Sequence, residues 1–96
     1  MKKFVLSDVF FYSLKDEELL FNWLQELDGV ISIVGKANDL VVSTNGKLSD
    51  SELRELLAVF RRYSLNMSQL AQYCDEDNSE WFADKNKTWY SSVFEC

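Results

Sequence analysis

Apolar and polar residues alternate along the opening stretch "KFVLSDVFFY". Phe4, Leu6, Asp8, Phe10 and Tyr12 fall on one face, and Val5, Ser7, Val9 and Phe11 on the other. A period of two in aromatic and β-branched residues predicts a strand, and two partly apolar faces predict a central one. The period then changes. In "SLKDEELLFNWLQELDG", Leu20, Trp23, Leu24 and Leu27 follow the i, i+3, i+4, i+7 spacing of one helical stripe. Ser13 or Asp16 caps its start, acids crowd the first turn where the dipole favours them, and Gly29 is placed as the left-handed residue that ends it. "VISIVGKANDLVVSTNG" holds two β-branched runs around a hairpin turn, and Asn45–Gly46 turns the chain again.

A second helix is written into "LSDSELRELLAVFRRYS". Ser49 and Glu52 have capping-box spacing, and Leu48 and Leu53 that of the accompanying apolar staple. Leu53, Leu56, Leu57 and Phe60 form the buried stripe, while Arg61 and Arg62 suit the negative end of the dipole. "LNMSQLAQY" then predicts a fourth strand, diluted by Asn66, Ser68, Gln69 and Gln72. The expected order is β-α-β-β-α-β. Right-handed crossovers place both helices on one face of a four-stranded antiparallel sheet, an α+β ferredoxin-like sandwich.

Ninety-six residues suit one domain, with residues 1–73 as the βαββαβ core and 74–96 as a C-terminal extension. The extension is unusual. Net charge is −6 over the whole chain, and "CDEDNSEWFADKNKTWYSSVFEC" carries six acids against two lysines, a net of −4. It also holds Trp81, Phe82, Trp89, Tyr90 and Phe94, too much apolar surface for a disordered tail. These aromatics are expected to cover the sheet or its edge, over the face of Phe4, Leu6, Phe10 and Tyr12. Ser79 is placed to cap a short helix through "EWFADKN". "TWYSSVF" is open to either a last helical turn or an edge strand, with its Thr, Trp, Tyr, Val and Phe leaning to strand by propensity.

Composition narrows the chemistry. No histidine occurs, so His-based triads, most zinc sites and the commonest general base are absent. Gly29, Gly35 and Gly46 do not make a phosphate loop. "DEDNSEWFADKN" imitates a calcium loop, yet Glu80 stands where glycine is needed and Asn86 where a bidentate acid is needed. Cys74 adjoins three acids, which raise a thiol's pKa and oppose nucleophilic use. Acidity argues against nucleic acid and anionic membrane surfaces as partners, and no stretch approaches membrane-spanning length. The expectation is a non-enzymatic cytoplasmic protein without metal or cofactor, a monomer or a homodimer.

What remains is protein binding. Asp75, Glu76, Asp77, Glu80 and Asp84 surround Trp81, an acidic rim about an aromatic anchor suited to a basic protein partner. Small acidic antidotes to basic toxin nucleases, of the immunity-protein kind, share this profile of size and charge. Asp8, an acid in mid-strand, is with Tyr12 a second candidate, for a ligand or a buried polar contact. The alternative function is a ligand-sensing or dimerising regulatory domain.

Overall fold

A computed structural model describes residues 2–7, 13–36 and 39–95. Three strands form an antiparallel sheet: β1 (Lys2–Leu6), β2 (Val30–Lys36) and β3 (Asp39–Thr44), in the order β1-β3-β2. β3 is therefore the middle strand. The expected central position of β1 is corrected: it stands at the end of the sheet. Phe4 pairs with Val42 and Leu6 with Leu40, while Val5, Val41 and Val34 align on the opposite face. Asp8, Phe10 and Tyr12 lie outside the described residues, so the candidate site at Asp8 and Tyr12 does too.

Helix α1 (Leu14–Gln25) starts as expected, with the Ser13 hydroxyl accepting from the Asp16 N–H at 3.2 Å. Leu20, Leu24 and Leu27 are buried. No glycine among the described residues has positive φ, so Gly29 serves another purpose. Its N–H donates to Glu52, and a Cβ there would meet Leu48 and come within 2.6 Å of the Glu52 carboxylate. Gly29 thus gives the ends of the Leu48 and Glu52 side chains room beside the backbone, and does not reverse the chain.

Helix α2 (Asp50–Arg62) has both halves of the capping box, with Leu48 and Leu53 buried beside it. It lies alongside α1, joined by Trp23 Nε1–H donating to Glu55 at 2.7 Å and the Tyr63 hydroxyl donating to Asp16 at 3.1 Å. Phe60 meets Phe4 edge-on at 5.1 Å, which fixes the sheet face that the helices cover. Phe4 and Leu6 thus face the helices, not an open surface. α2 ends through Ser64 at φ 54°, with the Leu65 N–H reaching back to the Phe60 carbonyl at 2.9 Å. This is a left-handed helix stop built on serine instead of glycine, at a cost of about 1–2 kcal/mol.

The expected fourth strand is replaced. Residues Met67–Tyr73 form a 3-10 helix, and its side chains take up the edge of β1. Gln69 Oε1 accepts from the Val5 N–H at 2.7 Å, and Gln69 Nε2 donates to the Val5 carbonyl at 2.9 Å. Gln72 Nε2 donates to the Lys3 carbonyl at 2.9 Å. A primary amide presents an N–H donor and a C=O acceptor side by side, as one residue of an extended strand does, so Gln69 satisfies both groups of Val5 as a neighbouring strand would. The edge is closed by side chains, so it offers fewer free groups for pairing with another chain.

Each such bond contributes about 1 kcal/mol net. Gln69→Ala is expected to lower unfolding free energy by about 1–2 kcal/mol in urea titrations and to speed exchange of the Val5 amide. Gln69→Glu should recover part of the loss, because a carboxylate can still accept from the Val5 N–H. Equal stability of all three proteins would contradict this role.

Candidate functional site

The acidic segment begins where the 3-10 helix ends. Tyr73 is buried, its hydroxyl 2.7 Å from that of Thr44, and burial pushes its pKa up. Its carbonyl accepts from Asn78 Nδ2 at 2.8 Å. Asn78 is only 2% exposed, and its Oδ1 accepts from the Asp75 N–H at 2.9 Å. Asp75 Oδ1 in turn accepts from the N–H groups of Asp77 and Asn78, at 2.9 and 3.0 Å. Aspartate and asparagine stabilise turns in this way because their short polar side chains reach backbone groups two or three residues on. The turn is thereby locked by its own side chains.

The six expected site residues divide by role. Asp75 and Asp84 are half-buried turn formers, Asp84 accepting from the Asn86 N–H at 2.9 Å. Asp77 is exposed and pairs with Lys47. Glu76 and Glu80 are exposed. Trp81 is half-buried in the short helix α3 (Ser79–Phe82). Asn78, not Ser79, occupies the residue before that helix, and its side chain bonds Tyr73 and Asp75 without capping the helix. The Arg54 guanidinium lies 4.2 Å from the centre of the Trp81 ring, and Trp89 meets the ring edge-on at 6.1 Å. The Trp81 indole N–H is buried without a partner among the described residues, so Trp81 acts through packing.

The remaining aromatics join the main core. Phe82 and Val93 are buried, Phe94 packs on Phe82 at 5.1 Å, and Trp89 Nε1–H donates to the Phe82 carbonyl at 2.8 Å. Residues Tyr90–Phe94 form helix α4, the helical one of the two conformations that the sequence leaves open. The segment packs on α2 and the 3-10 helix, and not over the sheet face of Phe4 and Leu6. Burying Phe82 and Val93 contributes about 1.5–3 kcal/mol each, while the exposed Lys47–Asp77 pair contributes about 0–1 kcal/mol. Apolar burial therefore holds the segment.

Two features escaped the reading of the sequence. Arg54 lies under Trp81 across 27 positions of chain, a distance no local pattern reports. Residues 13–28 carry five acids against Lys15, a second concentration of charge equal to that of the tail. That one was countable. Leu19 on α1 is 51% exposed and borders a groove of about 360 Å3 with Trp23 and Tyr63. Burial raises the pKa of the Tyr63 phenol, and the Asp16 carboxylate adds to it.

Chemistry is sparse here. Burial raises the Cys74 thiol pKa and the Asp75 charge adds to it, so little thiolate is available at neutral pH. Among the described residues, no three metal-ligating side chains gather, and no helix is long and apolar enough to cross a membrane. Comparisons with models of protein families, with curated proteins and with solved structures find no match.

The locked turn makes a sharp prediction. Asn78→Ala leaves the Tyr73 carbonyl and the Asp75 N–H unpaired and is expected to cost about 2–3 kcal/mol. Asp77→Asn is expected to change stability by less than about 0.5 kcal/mol, since it removes only a solvated ion pair. Chemical denaturation of both variants checks the contrast, and a reversed order would refute it.

Proposed function

We propose that this chain is a small non-catalytic protein-binding module that engages a basic protein partner through the acidic turn at residues 75–80 and the adjoining Trp81. The observation that carries this reading is the locked turn. Glu76, Asp77 and Glu80 project from a backbone that Asp75 and Asn78 already hold, so binding loses little conformational freedom in ordering it. Net charge of −6 adds long-range attraction, which raises the rate of encounter with a cation-rich surface. Trp81, braced by Arg54 and Trp89, supplies a rigid aromatic edge of the kind that anchors interfaces. A basic toxin neutralised by an acidic antidote is one pairing of this type, and a cytoplasmic setting would suit it.

The strand order, with the 3-10 helix at the outer edge of β1, supports classing the fold as a ferredoxin-like sandwich whose fourth strand has become helical.

Asp75 belongs to the scaffold, so the test leaves it intact. Glu76, Asp77 and Glu80 are changed to Lys, and wild type and variant are used to capture partners from the source lysate at low and high salt. The expected result is a basic protein held by wild type, weakened by salt and lost from the variant, with melting temperatures within a few degrees. Identical capture by both proteins would overturn the assignment.

A further inference from the structure

We propose that the groove between the end of α2, the 3-10 helix and α4 is a binding site for a small amphipathic carboxylate, whose acid group pairs with Arg61. Two adjoining cavities of about 410 and 550 Å3 share Arg61, Met67 and Ser92. Their size falls in the range of sites for small ligands. In a chain with 16 acids, no acid lines either cavity, and no carboxylate pairs with Arg61 among the described residues. Leu57, Met67 and Trp89 supply an apolar wall. Asn66 and Ser92 add donors at the rim, Asn66 Oδ1 being occupied by Ser68 while its amide N–H groups remain available. One cation, flanking donors and an adjacent apolar wall match a molecule with a carboxylate at one end and an aryl or alkyl body.

The end of α2 opposes an anion, because its carbonyls amount to about half a negative charge. Two effects offset this. The Leu65 and Ser64 N–H groups reach back to the Phe60 and Arg61 carbonyls, at 2.9 and 3.3 Å. Arg61 contributes a full positive charge in a fork that fits both carboxylate oxygens. The groove also joins α2 to Thr88, Trp89 and Ser92 of the C-terminal segment, so an occupant would fasten that segment to the domain.

The test is an NMR titration of the 15N-labelled full chain with 3-phenylpropionate, beside its neutral counterpart 3-phenylpropionamide. Wild type, Arg61→Gln and Arg62→Gln are compared. Arg62 borders the separate groove on α1 and serves as the charge control. The expected result is saturable shifts at Met67, Ser92 and the Trp89 indole. Affinity should fall about three- to fivefold for the amide and for Arg61→Gln, while Arg62→Gln stays near wild type. Equal affinity for acid and amide, equal affinity of Arg61→Gln and wild type, or no saturation at millimolar ligand would each overturn it. Because Glu76, Asp77 and Glu80 are untouched, failure here leaves the partner-binding reading standing.

Discussion

The unpaired edge of β1 is the constraint from which much of this structure follows. A terminal strand presents backbone N–H and C=O groups that must be bonded or hydrated. Here Gln69 and Gln72 bond the groups of Lys3 and Val5, which places the 3-10 helix along the sheet. That placement buries Leu70 and Tyr73 and brings the Tyr73 hydroxyl to Thr44 of the middle strand. The Tyr73 carbonyl then receives Asn78, and Asn78 sets the acidic turn. The 3-10 helix thus ties the hydrogen bonds of the sheet edge to those that hold the acidic turn.

The C-terminal segment consequently keeps its structural residues apart from its exposed charges. Phe82 and Val93 complete a core, and Asp75, Asn78 and Asp84 shape turns. Glu76, Asp77 and Glu80 carry charge that the fold itself scarcely uses, since the Lys47–Asp77 pair is exposed. Charges that do little stabilising work can change without unfolding the chain, and that separation supports the proposal that the turn, and not the buried aromatics, meets a partner.

Legibility followed the range of the interactions. Helix α2 could be read closely because its capping box, staple and stripe all lie within one short segment. Helix α1 was equally local, although Gly29 was misread, because its close neighbours Leu48 and Glu52 come from far along the chain. The segment 66–73 was misread for a different reason. Asn66, Gln69 and Gln72 recur every third residue, as do Met67, Leu70 and Tyr73. A repeat of three is the signature of a 3-10 helix, whose side chains eclipse at i and i+3. The polar positions that looked like dilution of a strand were a separate row. For β1, alternation identified the strand but not its place, since its neighbours are set by topology. The acids of the candidate site were all visible, but not that Asp75 and Asp84 are spent on turns.

The most direct test of this account is scalar coupling across hydrogen bonds, measured by NMR on the 13C,15N-labelled chain. The account predicts a correlation between the Val5 amide nitrogen and the side-chain Cδ of Gln69. A correlation from Val5 to a backbone carbonyl within residues 66–73 would instead reveal a true fourth strand and contradict it.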